Sequence, residues 1–471
     1  MPMRSVWPAS SSNGQSSPPL TVPPQSPLRS RSTPCAAILS GLSWPKASMV
    51  RPPNASRCRH RGVSAVRRFC LHSLRPQGVQ VRRSLAVITA LFTVLTLSAG
   101  LVSGCGSSSS KSSTASAAVD YSKPGPYPVG TTSFMMGDRI VYMFYPADAD
   151  RLGEGTPVTS YSSADAFPPA LRAAIPAALI QEVPLNATKD APVAADGPFP
   201  VLIHSHGFGG YPEFTSQHLA HLASWGFVTA APDHLERDLA ANSLGKVVRG
   251  ETDVQDLRNT LAQLKADNES GPFAGSMNFD ELAAEGHSAG GSAAGKFAFD
   301  PEVKTFIGQA PGAPLKMNYD STTTADQITA AYAAQTPPDK PSMLLAGEVD
   351  QMIPLARVSE EYDWLASPKR FLVLKGAGHN AFTDICKPIR EGGGLMQYSG
   401  KLPAPDNLLR LGEDGCMPEN LDTDTGYALI NHMTVAQLRH VFGIDTSDAS
   451  LAPSYVESLF PEAIARYDVQ N

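Results

Sequence analysis

Residues 281–299 read ELAAEGHSAGGSAAGKFAF, and this stretch gives the strongest indication of the fold. A short apolar run, Leu282–Ala284, precedes the pentapeptide Gly286–Gly290, and small residues follow it. A Gly-x-Ser-x-Gly pentapeptide between a strand and a helix is typical of a tight turn that exposes a serine hydroxyl. Glycines on both sides let the strand and the helix approach without Cβ clashes. Ser288 is therefore a candidate nucleophile.

Short apolar segments alternate with helical patterns on both sides of this turn. The predicted strands are Arg139–Tyr145, Pro200–His204, Gly226–Ala231, Glu281–Glu285, Val303–Ile307, Ser342–Ala346 and Phe371–Leu374. The predicted helices are Thr215–Trp225, Thr252–Lys265, one from about Gly290, Pro354–Leu365, and a short run around Pro169–Leu179. This alternation favours one large α/β domain with a mainly parallel central sheet and helices on both faces.

Charge divides the chain into two unlike parts. Residues 1–104 contain thirteen Lys and Arg and no acidic residue, and the first carboxylate is Asp120. From Cys105 onward there are 25 basic and 44 acidic residues, a net charge of −19, whereas the whole chain carries −6. Nucleic-acid binding needs a basic surface to neutralise phosphates, so the acidic part argues against a nucleic-acid partner.

A candidate export signal precedes the acidic part. Arg82 and Arg83 are followed by the apolar run Ser84–Gly104, which ends in small residues directly before Cys105. This pattern is typical of a secretory signal. The sequence LVSGC resembles a bacterial lipobox, in which the cysteine receives a diacylglyceryl group and becomes the mature N-terminus. The alternative is a transmembrane anchor, since about 20 apolar residues can span a bilayer. We expect export and a lipid anchor at the outer face of the bacterial cell membrane.

These patterns predict four segments. Residues 1–80 are rich in Ser, Pro and Arg without apolar periodicity, which favours a disordered basic extension produced by a misplaced start site. Residues 81–104 are the predicted signal peptide, and residues 105–120 form a Ser/Gly-rich tether. Residues 121–471 are the predicted catalytic domain.

A glycine-rich loop follows the predicted strand at residues 200–204. The loop reads HSHGFGG, residues 204–210, and no lysine follows it as a phosphate-binding P-loop requires. Backbone N–H groups of such a loop can stabilise a developing oxyanion. We expect the N–H groups of Phe208 and Ala289, the residue after Ser288, to be the two donors.

A candidate acid and a candidate base follow two later strands. Asp350 lies in the turn GEVD after Ser342–Ala346, and His379 lies in GAGHN after Phe371–Leu374. The order Ser288, Asp350, His379 is that of α/β-hydrolases. We expect His379 to act as general base and Asp350 to orient its ring.

Other polar residues near these elements are interpreted as structural. Glu348 fits the acid position less well than its neighbour in the turn, and Asp384 and Asp233 are expected to be surface or loop acids. His204 and His206 have no carboxylate or third ligand at metal-site spacing. We therefore predict no metal and no cofactor.

Aromatic and cysteine residues extend the predicted site. Phe208, Tyr211, Phe214 and Phe382 are candidates for the lining of an apolar substrate pocket, and the alternative is plain core packing. The acidic part contains two cysteines, Cys386 and Cys416. An even number in an exported protein favours a disulfide, with two buried thiols as the alternative.

Several of these motifs together resemble one esterase branch of the α/β-hydrolases. This branch contains platelet-activating-factor acetylhydrolase-like, chlorophyllase-like and dienelactone-hydrolase-like proteins and polyester-degrading cutinases. The shared motifs lie between about Pro124 and Phe382: PGPYPVG, YPAD, HSHGFGG, LASWGFVTAAPDH, GHSAGG, QAPG, GEVD and GAGHNAF. One departure is Ser288 itself, because true dienelactone hydrolases use a cysteine nucleophile.

The resemblance implies an α/β-hydrolase fold and hydrolysis of carboxylic esters through an acyl-enzyme on Ser288. A small-molecule or lipid-like ester is the expected substrate. Two alternatives stay open: peptide or amide hydrolysis by the same three residues, and a catalytically idle lipoprotein that binds a ligand. The sequence gives no indication of the oligomeric state.

Overall fold

The computed structural model describes residues 117–471 except 154–155, 166, 178–179, 249–251, 318–322 and 403. The predicted basic extension, the signal peptide, Cys105 and the tether up to residue 116 lie outside the described residues. Within the described part, no helix combines the length and the apolar character needed to cross a bilayer.

Twelve strands are present in the described chain. They are β1 (Val129–Met136), β2 (Arg139–Pro146), β3 (Ser160–Ser162), β4 (Glu182–Pro184), β5 (Thr188–Lys189), β6 (Phe199–Ser205), β7 (Val228–Pro232), β8 (Met277–His287), β9 (Val303–Gln309), β10 (Ser342–Gly347), β11 (Lys369–Leu374) and β12 (Ile464–Gln470). All seven predicted strands are found, with ends that differ by a few residues. The buried apolar runs were therefore a sufficient signal for the centre of the sheet.

Helices occupy most of the segments between these strands. They are α1 (Pro169–Arg172), α2 (Ser216–Ser224), α3 (Leu239–Ser243), α4 (Thr252–Glu269), α5 (Ala289–Phe297), α6 (Ala325–Ala334), α7 (Leu355–Trp364), α8 (Cys386–Glu391), α9 (Asp406–Glu413), α10 (Thr423–Val441) and α11 (Pro453–Leu459). The predicted run around Pro169–Leu179 is wrong in length. Among the described residues of this run only one α-helical turn, α1, forms, and Pro176 cannot donate the backbone hydrogen bond that a longer helix needs.

Ten strands form one sheet in the order β12-β11-β10-β9-β8-β6-β7-β2-β1-β5. The six central strands, from β11 to β7, are parallel to their neighbours. Strand β12 pairs antiparallel at one end, and β2 and β1 pair antiparallel at the other. The chain places β7 outside β6 before it returns to β8, so the strand order reverses beside β6. Such a reversal is where α/β sheets open a ligand crevice.

Both faces of the sheet are covered. Alternate side chains of each strand point to opposite faces, so Leu202 of β6 belongs to one core cluster while Val201 and Ile203 belong to the other. One cluster lies under α2, α10 and α11, and the other lies under α4, α5 and α7. The predicted mainly parallel sheet with helices on both faces is confirmed.

Candidate active site

Ser288 occupies a strained turn between β8 and α5. Its backbone has φ 57° and ψ −120°, a conformation that side chains other than glycine rarely adopt. A Cβ on Gly286 would lie 2.2 Å from the carbonyl oxygen of Gly290, and one on Gly290 would lie 1.9 Å from that of Ser205. The two glycines therefore allow the close contact that holds Ser288 in its turn, as the sequence pattern predicts.

The three predicted triad side chains meet in one hydrogen-bonded line. His379 Nε2 lies 2.9 Å from Ser288 Oγ, and His379 Nδ1 lies 2.9 Å from Asp350 Oδ2. The imidazole and the carboxylate are almost fully buried, with 3% and 1% of their side-chain surfaces exposed. A buried carboxylate on Nδ1 favours the tautomer that leaves Nε2 free to accept the serine proton. The arrangement is that of an activated serine nucleophile.

Both oxygens of Asp350 have defined partners. Oδ1 accepts hydrogen bonds from the N–H groups of Met352, at 2.8 Å, and Ile353, at 2.7 Å, and this leaves Oδ2 for His379. The turn after β10 thus orients the carboxylate before any substrate binds.

Asp414 lies beside this pair and was not found by sequence reasoning. Its Oδ2 accepts from the N–H of Gln351 at 3.0 Å, and its carbonyl oxygen accepts from the N–H of Asn380 at 2.8 Å. Asp414 therefore ties the acid turn to the base turn. Burial raises its pKa, and the neighbouring charge of Asp350 acts in the same direction. Cys416, two positions later, is the nearest residue to which the sequence analysis gave a role.

His287 supports the base from the other side. Its Nε2–H donates to the carbonyl oxygen of His379 at 2.9 Å, and the two rings lie 4.7 Å apart. Burial lowers the pKa of His287 far below its ordinary value, and the neighbouring His379 adds to this effect. His287 is therefore a neutral donor that fixes the backbone carrying the base.

A buried carboxylate lies in β8 just before the turn. Glu285 accepts from Gln309 Nε2 at 2.9 Å and lies 3.1 Å from His204 Nδ1 and 3.2 Å from His218 Nε2. Burial alone would raise the pKa of Glu285, but the two histidines lower it to about 2. A paired buried charge at this position anchors the end of β8 to β6 and α2.

The two predicted oxyanion donors have free N–H groups. In the described chain, neither the N–H of Phe208 nor that of Ala289 has a hydrogen-bond partner. Ala289 opens α5, where the first N–H groups of a helix lack intrahelical partners. A Cβ on Gly207 would lie 3.3 Å from the Cβ of Ser288, so the loop passes directly beside the nucleophile. This arrangement is suited to an oxyanion hole.

A largely apolar pocket opens above Ser288 and His379. Its empty volume is about 1140 Å³, including the solvent-filled mouth. One wall comes from the segment after His379, which contributes Ile385, Pro388, Ile389, Leu395, Leu402, Ala404, Leu408, Leu409 and Leu411. The opposite side carries Phe167, Ile175, Phe208, Phe214 and Leu239. Among the described lining residues none is Asp, Glu, Lys or Arg.

Two of the predicted aromatic pocket residues lie elsewhere. Phe208 and Phe214 line the pocket as predicted, but the prediction was wrong for Tyr211 and Phe382. The ring of Tyr211 is 4% exposed and packs 3.9 Å from that of Phe214. Phe382 is 1% exposed and stacks on His287 at 6.1 Å. Proximity in sequence did not predict where these side chains point: Phe382 packs in the core, and Tyr211 packs there too but borders a separate cavity beside Glu213.

The predicted disulfide between Cys386 and Cys416 is present. It joins α8, which carries Pro388 and Ile389 of the pocket wall, to the turn that carries Asp414. The bridge therefore links the apolar wall to the support of the acid–base pair.

The competing acids take no part in the line of three side chains. Glu348 is exposed and accepts from the N–H of Gly376 at 2.9 Å. Asp233 and Asp384 both lie in loops, as expected, but Asp384 is buried, with 5% of its surface exposed. Asp384 accepts from Tyr427 Oη at 2.5 Å and from the N–H of Gln217 at 3.0 Å, and burial raises its pKa to about 7.

One group in the described chain could surround a cation. Ligand atoms of His234, Asp253 and Asp256 lie within 4.8 Å of one another. Arg139 already contacts Asp256 at 2.5 Å, and Arg237 contacts Asp253 at 2.7 Å. These two guanidinium groups supply the positive charge that a metal would bring, so the donor set fits a structural ion-pair network better than a metal site.

Fold and site together define the class of the protein. The strand order reverses beside β6, and the nucleophile Ser288 lies in the turn after β8. The acid follows β10 and the base follows β11. Together these features are those of an α/β-hydrolase.

Comparison with known families agrees with this class. Residues 112–271 match the model of the family described as platelet-activating factor acetylhydrolase, isoform II. The match covers about a third of the chain, contains the loop at residues 204–210 and ends before Ser288. The chain thus resembles this family, which supports an ester-type hydrolase in general terms. A search among curated proteins found no match to the chain.

Proposed function

We propose that the protein is a serine carboxylic-ester hydrolase that acts on neutral, apolar esters. The observation that carries the proposal is the hydrogen-bonded line from Ser288 through His379 to Asp350 at the floor of an apolar pocket. The free N–H groups of Phe208 and Ala289 beside Ser288 complete the set of groups that acyl transfer requires.

Acylation follows from this geometry. His379 Nε2 takes the proton from Ser288 Oγ as the oxygen attacks the ester carbonyl carbon, and the carbonyl oxygen becomes an anion facing the two N–H groups. The C–O bond to the alcohol then breaks, and His379 returns the proton to the departing alcohol oxygen. Water repeats the sequence on the acyl-enzyme and releases the carboxylic acid. Asp350 stabilises the imidazolium in both halves.

The pocket favours an uncharged substrate. Its described lining is mostly aliphatic and aromatic, with Asn380 and a few Ser and Thr residues, and histidines are the titratable groups among the lining residues. A charged headgroup or a peptide N-terminus inside the pocket would lose hydration without gaining an ionic partner, which is unfavourable. An apolar acyl chain would instead gain about 25 cal/mol for each Å² that it buries.

A substrate panel tests the proposal. We expect wild-type protein to hydrolyse p-nitrophenyl esters, with kcat/KM rising from acetate to longer acyl chains, and to leave an aminoacyl anilide almost untouched. Faster hydrolysis of the anilide would support the peptidase alternative. Absence of turnover on every substrate would support an idle ligand-binding protein. Ser288→Ala is the background control, because any hydrolysis that it retains does not depend on Ser288.

We also propose that residues 121–471 are the catalytic domain of an exported lipoprotein anchored through Cys105. The support is the sequence pattern of residues 82–105. Expression in a bacterial host should place the wild-type protein in the membrane fraction, whereas Cys105→Ala should release it or leave the signal uncleaved. Equal fractionation of both proteins with the signal cleaved in both would contradict the anchor.

A further inference from the structure

The peptide bond between Gly207 and Phe208 is held in one orientation. The carbonyl oxygen of Gly207 accepts from His206 Nδ1–H at 2.9 Å and from the N–H of Gly210 at 3.1 Å. This peptide is trans, since the cis peptides of the described chain lie at Gly197-Pro198 and Ser367-Pro368. In a trans peptide the C=O and the following N–H point to opposite sides. The partners of Gly207 O therefore determine where the Phe208 N–H points.

The ring of His206 is itself fixed. It is 1% exposed, and its Nε2 lies 3.0 Å from the N–H of His234 and 3.2 Å from Asp233 Oδ1. The N–H of His234 can only donate, so Nε2 accepts it and the ring hydrogen lies on Nδ1, facing the Gly207 carbonyl oxygen at 2.9 Å. Arg237 Nη1 lies farther from Nδ1, at 3.4 Å. The imidazole thus links the loop after β7, which contacts Nε2, to the Gly207–Phe208 peptide, whose carbonyl oxygen contacts Nδ1.

A buried network holds the segment on which His206 acts. Ser205 Oγ lies 2.8 Å from His234 Nε2, and His234 Nδ1 lies 3.0 Å from Asp256 Oδ2. This resembles a second Ser-His-Asp line, but Ser205 and His234 are completely buried and cannot reach a substrate. Arg237 NH2 also donates to Ser205 Oγ, at 3.2 Å. The network therefore stabilises the end of β6, directly before the oxyanion loop.

We propose that His206 is a positioning residue that aims the Phe208 N–H at the oxyanion of the reaction. This inference rests on the proposed function, because it assigns a role within the same site. His206 acts through the carbonyl of Gly207, so it affects the transition state, where the oxyanion exists, more than it affects substrate binding.

Two substitutions separate positioning from general packing. In His206→Asn, the amide nitrogen takes the place of Nδ1 and can still donate to Gly207 O. In His206→Gln, the amide reaches the place of Nε2, and the donor to Gly207 is lost. We expect His206→Gln to lower kcat about 10- to 100-fold with KM changed less than about twofold, below the 10²- to 10³-fold effect of losing a donor outright. His206→Asn should stay within about fivefold of wild type, and the melting temperatures of the two variants should be similar.

The rate at which a fluorophosphonate labels Ser288 tests the role of His206 without an ester substrate. Phosphonylation of Ser288 places an oxygen in the same oxyanion hole, so its second-order rate constant should follow the same order: wild type, His206→Asn, then His206→Gln. Equal rates for the glutamine variant and wild type, or equal losses in both variants, would overturn the positioning role. Wild-type protein that is labelled but hydrolyses no ester would contradict the proposed function, and the labelling rates would still decide the role of His206. Wild-type protein that is not labelled would contradict both.

Discussion

The hydrogen bonds around Asp350 predict how its substitution would change the reaction rate. Two backbone N–H groups bind one of its oxygens, and His379 binds the other. In Asp350→Asn, the amide oxygen would keep the two backbone N–H groups and the amide N–H would face His379 Nδ1, so the ring would lose the tautomer that leaves Nε2 free. We expect kcat to fall by about 10⁴-fold with little change in fold, by analogy with the same change in other triads. Steady-state kinetics on the best p-nitrophenyl ester checks this.

A matched control lies two residues away. Glu348→Gln removes an exposed carboxylate from the same turn, and its turnover should stay within about twofold of wild type, since surface changes remote from such contacts have small effects. If the two variants lost activity equally, damage to the turn rather than the role of Asp350 would be the cause.

Sequence alone could predict Ser288, Asp350 and His379 because each follows a strongly apolar strand, and parallel strands bring their carboxyl ends to one edge of the sheet. Asp414 could not be predicted in this way. It lies beside the site through contacts between residues distant in sequence, among them the bridge from Cys416 to Cys386, and spacing along the chain does not encode such contacts. The same limit explains Tyr211, whose neighbours in sequence line the pocket while its own ring packs into the core.

Among the elements, the segment from α8 to α9 is the one whose structure could be predicted least from the sequence. The resemblance ends near Phe382, and the residues that follow are rich in glycine and proline and carry no long period. In the structure this segment contributes eight apolar residues of the pocket wall, and Ile385 directly before it adds a ninth. Its position depends on tertiary contacts, among them the disulfide and the packing of Leu408 against Gly209, where a glycine Cβ would lie 3.2 Å from Leu408 Cδ1.

Removing the bridge should therefore affect stability and binding together. A disulfide that closes a loop of 30 residues stabilises by about 3–4 kcal/mol in the chain-entropy description. We expect the double variant Cys386→Ser/Cys416→Ser to lose stability of this order in urea unfolding and to show a raised KM for long-chain esters. Wild-type protein treated with a reductant should match the variant, and the variant should not respond to the reductant. Unchanged stability and unchanged KM in the variant would contradict the linking role of the bridge.

At the scale of the whole molecule, stability depends on pH through a buried acid remote from the site. Glu361 of α7 is 1% exposed, and its Oε1 has no hydrogen-bond partner in the described chain. Burial raises its pKa well above the ordinary value of 4.5, so the folded protein keeps a proton that the unfolded chain releases. The free energy of unfolding should therefore fall as pH rises above about 4.5.

Replacing this acid isolates its contribution. Glu361→Gln cannot release a proton, so its stability should exceed that of wild type by a margin that grows above pH 4.5, at up to about 1.4 kcal/mol per pH unit. Urea unfolding at pH 4, 6 and 8 measures the margin, and Glu457→Gln, an exposed glutamate on α11, is the control. A margin that does not change with pH would contradict a protonated Glu361.

Ser288 is the proposed nucleophile, and covalent labelling shows whether this serine reacts. Wild-type protein, Ser288→Ala and Ser292→Ala, a serine one turn further along α5, are incubated with a fluorophosphonate and measured by intact-mass spectrometry. We expect a single adduct on wild type and on Ser292→Ala, mapped by digestion to Ser288, and none on Ser288→Ala. Equal labelling of wild type and Ser288→Ala, or an adduct mapped to another serine, would contradict this role of Ser288.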